Sequence, residues 1–535
     1  MRSMRRSGWL ILAMILVLVG CGTSSTPEVT ARPTSDEETT PAAEVASPTP
    51  EPPTETPQPT VDAQALDNLP DGQNLLVALT RPGEPRQLAM MNRDGNIIPV
   101  MNIPDNATRV TACGDEATSP NARFFAFYVG GDTGELYLMD NTKSPVRIDD
   151  AEYLACLGNG TFQFSPDSNR FAYIDFFPGV TREEYPDGIL KLYESSNGNQ
   201  LATFDNVTAF DINNNQAVFV SFFVNDRNEA DEAAVSLWDG SATREIATLR
   251  PSAERCWFTS AAISFAPNGS SAAMVLGQRC ASTGTQTQWQ FYTLDPGAGS
   301  ATLVSSDNQP GAFVSFARNN NVFYAPSGEY AFFTVPDGVT AYTVAVAAVQ
   351  LSDFTITVPV GRQAVFPNFS GTTNAYPRFS VDGRWLAMAV TSPNNENQVM
   401  VLDLSNPTVP PIALSAGSRG DLIFGLNFTR DNRQLIYTAG GQGGADNALI
   451  ALNLESGSER RVLRGHFDRD VVVAPDNNTA ALLDWQRVED PRQPTYMNLV
   501  LVNLNDSTVT TLFTGADVED GRVNNVRTAI PLTWR

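Results

Sequence analysis

Histidine is nearly missing from this 535-residue chain, which has one, His466, and lysine is almost as scarce, with only Lys143 and Lys191. No G-x-S-x-G elbow supplies a serine nucleophile, and no H-E-x-x-H, P-loop or dinucleotide fingerprint occurs. The motif-borne forms of serine hydrolysis, zinc peptidase, nucleotide and nicotinamide chemistry are therefore absent. A net charge of −24 without clustered cations argues against nucleic acid, and against anionic lipid touching a folded body. The five cysteines show no CxxC spacing, which leaves zinc without its usual ligand frame. The apolar run from Trp9 to Val19 is too short to cross a bilayer. Paired carboxylates for glycoside cleavage have no local signature, so that chemistry stays open.

What is present begins with an export signal. Arg2, Arg5 and Arg6 form a charged region ahead of the apolar run. The run ends in Leu18-Val19-Gly20-Cys21, which resembles the lipobox of bacterial lipoproteins. The resemblance implies cleavage before Cys21, acylation of that cysteine, and tethering at the extracytoplasmic face of the cell membrane, with the lipid as the only membrane contact. Residues 22 to about 62 are rich in Thr, Pro, Glu and Ser, and bury too little to fold. The expected organisation is a signal at 1–20, a lipidated cysteine and extended spacer at 21–66, and a folded body at 67–535. Its acidity fits solubility at a surface better than a dedicated cationic partner.

The body repeats a pattern best seen in FQFSPDSNRFAYI, residues 162–174. Phe162, Phe164, Phe171 and Tyr173 alternate with small or polar residues on either side of a Ser-Pro-Asp turn, which reads as strand, tight turn, strand. A second pair of strands follows, and the unit returns every 40 to 55 residues or so, for example as PRFSVDGRWLAMAV with QVMVLDL and VVVAPDNNTAALLDW with NLVLVNL. Repeats of that length with Gly, Asn and Asp turns are the mark of propeller blades. At these residues the chain resembles the TolB-type propeller repeat. The expected fold is all-β: four-stranded antiparallel blades, about eight of them with seven to nine allowed. The stretch around 305–375 is the irregular one. NLLVALT, RQLAMMN and NIIPVM make an incomplete first blade, and the terminal VRTAIPLTWR is expected to complete it, closing the ring and removing a sheet edge.

Four cysteines remain after Cys21. Cys256 and Cys280 are equidistant from Asn268 in the turn between them, so a regular hairpin places them opposite one another. Cys113 and Cys156 each precede a Ser-Pro turn and are the second expected pair.

Function is expected on the face carrying the long polar loops and the crossovers between blades. The candidate residues there are Glu183, Glu184, Tyr185, Asp226, Arg227, Asp231, Arg487, Glu489 and Asp490, with the crossover residues His466, Asp468, Arg469 and Asp470. No catalytic residue and no cofactor is assigned. Calcium stays open because loops 225–232 and 517–521 gather carboxylates, although neither has the spacing of an EF-hand. Asp211, Asn213 and Asn215 mimic the start of such a loop but are expected to close a turn. The leading expectation is a binding or scaffolding module for an envelope protein or glycan. A carbohydrate-active hydrolase or lyase with carboxylates at a central channel comes second, and a self-associating structural protein third.

Overall fold

The turn at 165–168 explains the residues of the repeat. In the computed structural model, Ser165 Oγ donates to Asp167 Oδ1 at 2.6 Å and accepts the Arg170 amide at 3.0 Å, while Asp167 Oδ1 accepts the Asn169 amide at 3.1 Å. One hydroxyl and one carboxylate thus satisfy the backbone donors that a tight corner leaves over. Ser119 with Asn121, Ser380 with Asp382 and Thr429 with Asp431 rebuild the same corner. The fourth turn residue is left-handed each time: Ala122, Ser168, Gly383 and Asn432 have φ between 56° and 69°.

At two of these positions the side chain has a second task. Ser168 Oγ accepts the amide of Asn121, and Asn432 Oδ1 that of Val381, each from the turn of the preceding repeat. Asn214 and Asn477 receive the amides of Asp167 and Asp431 in the same way.

The structure describes residues 74–534 except 114–116, 141–143, 153–161, 177–187, 228, 282–286, 312–321, 326, 337–342, 353–355, 366–377, 392–396, 407, 416–421, 441–445, 487–491 and 521. All of them fall in one unit, Pro57–Arg535. Every regular element among the described residues is a β-strand, and pairing is antiparallel throughout.

Among the described residues the strands sort into nine sets of four. The first joins Asn74–Thr80, Gln87–Asn92 and Ile97–Asn102 to the far end of the chain, Thr528–Trp534. The others occupy 109–152, 162–207, 207–249, 256–311, 322–365, 378–415, 422–465 and 467–513, the third and fourth sets sharing the long strand Gln200–Asn213. The stretch expected to be irregular holds a full set, Val322–Tyr324, Tyr330–Pro336, Thr343–Gln350 and Ile356–Val365. Its strands are harder to recognise because Ala-rich TVAVAAVQ carries no turn chemistry of its own. A short hairpin, Asp517–Glu519 with Arg522–Asn524, precedes the last strand.

Burial explains the order. Strand Asn74–Thr80 is buried on both faces: Leu76 and Ala78 pack with Phe125, Phe127 and Tyr137 of the second set, while Leu75, Val77 and Leu79 pack with Ala481, Leu483 and Leu499 of the ninth. A fully buried phenylalanine such as Phe125, Phe127 or Phe171 contributes roughly 1.5–3 kcal/mol. The Asp that ends the third strand of a repeat also has its reason. Asp140 pairs with Arg123 at 2.9 Å and Asp403 with Arg384 at 2.8 Å, each arginine sitting just ahead of the opposite strand.

Candidate functional site

One end of each set carries the crossover to the next and the loop between the second and third strands. The described residues place three polar groups at or near this end.

The first group surrounds Lys191, on strand Gly188–Glu194. Leu190 and Leu192 face an apolar cluster, so Lys191 and Tyr193 share the opposite face, with Tyr173 directly across from Lys191 on strand Arg170–Phe176. Lys191 Nζ donates to Asp149 Oδ2 at 2.6 Å and to Asp175 Oδ2 at 2.8 Å. The hydroxyls of Tyr173 and Tyr193 donate to the same Asp149 oxygen at 2.7 and 2.9 Å. Asp149 belongs to the second set and the rest to the third, so the group bridges two sheets. Rings stacked at 5.1 Å (Phe171 with Tyr193) and 5.9 Å (Tyr173 with Tyr193) wall it in.

Burial opposes charge on Asp149, but the bonds from Lys191, Tyr173 and Tyr193 outweigh it and hold the carboxyl below the usual range. Burial likewise opposes the ammonium of Lys191, and Asp149 and Asp175 more than compensate, raising its pKa. Burial pushes both tyrosine hydroxyls up. An amine fixed as ammonium is a poor nucleophile and a poor base, so the group ties the second set to the third and supplies no reactive amine.

The second group is at His466, between strands Glu459–Gly465 and Phe467–Val473. Its carbonyl accepts the amide of Trp485 at 2.8 Å and its ring lies 6.0 Å from the Trp485 ring, both side chains being partly exposed. Burial pushes the neighbouring Asp484 carboxyl up, while a 2.5 Å bond from Gln486 Nε2 and the field of His466 pull it back. Asp468 lies one residue beyond Phe467 and is partly buried. Buried Asn447 ties the crossover down, its Nδ2 donating to Phe467 O at 2.6 Å.

The third group is the hairpin at 223–232. Asn225 Oδ1 accepts the amides of Arg227 and Glu229, and Arg227 pairs with Glu229 at 3.4 Å. Asp226 and Asp231 are exposed, and Arg250 pairs with Glu232 at 3.2 Å. Phe223 and Val224 next to them are 45% and 51% exposed, a large apolar fraction left in water.

Cys256 and Cys280 are joined in a disulfide at this end, directly opposite in register with Cα atoms 4.0 Å apart. Cys113 is buried and also disulfide-bonded; Cys156 lies outside the described residues. So do Cys21, Glu183, Glu184, Tyr185, Arg487, Glu489 and Asp490, together with the side chains of Arg469 and Asp470. His466 lies in the crossover between the eighth and ninth sets and Asp468 in the ninth, while Asp226, Arg227 and Asp231 fall in the fourth, so the candidates occupy separate sheets. Lys191, Asp149, Asp175, Asp484 and Trp485 were not among them. A lone lysine inside a strand, two residues from a tyrosine on its own face, was the available signal for the first group.

Among the described residues no group of three or more His, Cys, Asp or Glu is arranged to hold a metal ion. In the loops where calcium stayed open, Asp517 pairs with Arg527 at 3.1 Å and Glu232 with Arg250. Asp211 corrects an expectation: it is buried inside strand Gln200–Asn213 and closes no turn, because the two-residue corner at Asn214 and Asn215 starts later.

No family model matches the sequence, and no curated protein matches it. Solved structures similar to the chain include one of two prolyl endopeptidases, at 10% identity and a TM-score of 0.41 over 83% of this chain, which spans 57% of that one. The Dos1 propeller is similar at 12% identity and 0.41, covering 71% of this chain and 90% of its own. TolB from Acinetobacter baumannii is similar at 12% identity and 0.26, covering 69% and 81%.

Proposed function

We propose that this chain is a lipid-anchored, extracytoplasmic β-propeller that binds an envelope protein or glycan through its crossover face. In this reading the nine four-stranded sets are blades, and the strand Thr528–Trp534 closes the ring. Bonds between neighbouring sets support the ring: Gln163 to Asp211, the Phe265 amide to Asp211, Asn427 Nδ2 to Val471 O at 3.2 Å, and Trp534 Nε1 to Val472 O at 3.1 Å. Rigid sheets then present loops that differ from blade to blade, the arrangement that lets a repeat scaffold carry a specific contact.

The observation that carries the binding reading is the pairing of apolar and aromatic surface with fixed charge at one end of the sheets. Phe223 and Val224 are exposed beside Arg227 and Glu229, and partly exposed Trp485 lies against His466 beside Asp484. Tryptophan and phenylalanine with a polar rim supply area and hydrogen bonding together.

The test is affinity capture from an envelope extract with the full chain in mild detergent, beside a Trp485→Ala copy and a Phe223→Ser, Val224→Ser copy. The same chains are applied to an array of envelope polysaccharides. One protein or glycan retained by the parent chain and lost from a substituted copy supports the reading. Equal retention by all three, or shortening of a polysaccharide on the array, overturns it.

A further inference from the structure

Asp211 is the one carboxylate among the described residues that is deeply buried and has no cation bonded to it. It belongs to the fourth set, and it reaches both neighbours: Gln163 Nε2 of the third set donates to Oδ1 at 2.5 Å, and the Phe265 amide of the fifth donates to Oδ2 at 2.6 Å. The Ile212 amide adds a third donor at 2.9 Å and the Ser264 side chain a fourth. Gln163, Asp211 and Ser264 hold equivalent positions, opposite Ala172, Val218 and Ala273 in their hairpins, so three sets converge on this side chain.

The arrangement is balanced between two charge states. Four donors suit an ionised carboxylate, but none of them is a cation, and burial favours the neutral acid. Gln163 Oε1 is buried next to it without a partner. Rotating the Gln163 amide by half a turn brings Oε1 to Asp211, where it accepts the proton of a neutral acid. Amide orientation is interchangeable in shape, so the rotation needs no movement of the backbone.

We propose that Asp211 and Gln163 form a proton-operated clasp between the third, fourth and fifth sheets, held more tightly when the medium is acidic. The hairpin strands around it, Phe162–Phe164, Gln216–Val224 and Cys256–Phe265, bear no ionisable side chain besides disulfide-bonded Cys256; strands Arg170–Phe176 and Gly188–Glu194, which also pack against Gln200–Asn213, carry Arg170, Tyr173 and Asp175, and Lys191, Tyr193 and Glu194. The charged residues at that end are Asp167, whose amide binds Asn214, and Arg170, which lies over the Trp238 ring at 5.1 Å. Burial, outweighing the donors, pushes the Asp211 carboxyl up to about 6. The sign follows: a carboxyl raised in the folded state favours folding most at low pH, and that contribution falls away as pH rises through about 6.

The experiment is a carboxyl titration of the full chain carrying 13C-carboxyl aspartate, read by isotope-edited infrared spectroscopy between pH 4.5 and 8, beside thermal unfolding over the same range. A buried carboxylic-acid band that grows below about pH 6 in the parent and is missing in Asp211→Asn is the expected result, with the pH-dependent rise in melting temperature lost in the same variant. Gln163→Glu, which sets a second carboxylate against the first, is expected to move the midpoint upward by at least about one unit. If Asp211→Asn does not fold, the parent band and its displacement in Gln163→Glu decide the matter. An aspartate titration with no buried-acid band, or a midpoint unmoved by Gln163→Glu, overturns the proposal.

Discussion

Arg93 and Asp476, 383 positions apart in sequence, are paired at 2.5 Å and join the first set to the ninth. Arg93 also donates to Thr479 Oγ1 at 3.3 Å, and its guanidinium lies 5.2 Å from the centre of the Trp534 ring. One side chain therefore touches the ninth set and the last strand of the chain together.

Arg93→Ala is expected to destabilise the fold by about 1 kcal/mol, a modest figure because both partners are roughly a third exposed. Urea unfolding of Arg93→Ala, Asp476→Asn and the double variant measures it, and the two single losses are expected to sum to more than the double. Burial opposes charge on Asp476, and the Asn478 amide, Arg93 and Thr479 outweigh it. Its stabilising effect is thus present above the usual carboxylate range and lost as pH falls through the lowered value, and Asp476→Asn removes that acid sensitivity.

Lys191→Met leaves Asp149 and Asp175 facing one another without their shared cation. A loss of about 2 kcal/mol is expected, because the three side chains are only 15–25% exposed. Asp149 loses the largest of the interactions that hold its carboxyl down, keeping only the two tyrosine bonds, so the variant is expected to be least stable relative to the parent near neutral pH and to approach it in acid. Melting temperatures at pH 7.5 and pH 4 make the comparison.

At Asn432 two effects separate. Its φ of 56° favours glycine, while its Oδ1 accepts the Val381 amide from the preceding set. Asn432→Gly keeps the backbone conformation and loses the bond, whereas Asn432→Ala loses the bond and adds left-handed strain of about 1 kcal/mol. Alanine is expected to cost more than glycine, and a reversed order in chemical denaturation contradicts the turn-to-turn bond.

Cys256→Ser with Cys280→Ser opens a link spanning 24 residues. The expected loss is about 3 kcal/mol on the chain-entropy estimate. Peptide mapping under non-reducing conditions checks the pairing, and calorimetry checks the loss.

The strands were legible because the repeat writes its turn chemistry into Ser165, Asp167 and Ser168, and because Phe162 and Phe164 alternate in step with burial. The pairing of Cys256 with Cys280 was legible for a related reason: two strands joined by one tight turn have only one register that places both cysteines at equal distances from it. The polar groups were less visible. Lys191 meets Asp149 across two sheets and 42 residues, a proximity set by how sheets stack, which local spacing does not encode. Asp211 was misplaced because Asn213, Asn214 and Asn215 all suit a corner, and the choice among them is made by pairing with Gln216. Trp485 reads as one more apolar residue in a strand until the crossover at His466 is seen lying against it.

The first sheet needs the strand Thr528–Trp534 beside Asn74–Thr80. A polypeptide is made from its amino end, so Leu75, Val77 and Leu79 emerge early and wait for a neighbour that arrives last. Until then they are sticky surface, open to chaperones and proteases. Chains cut short near Thr528 lose the partner of their earliest strand as well as their final one, so an injury at one terminus is felt first at the other.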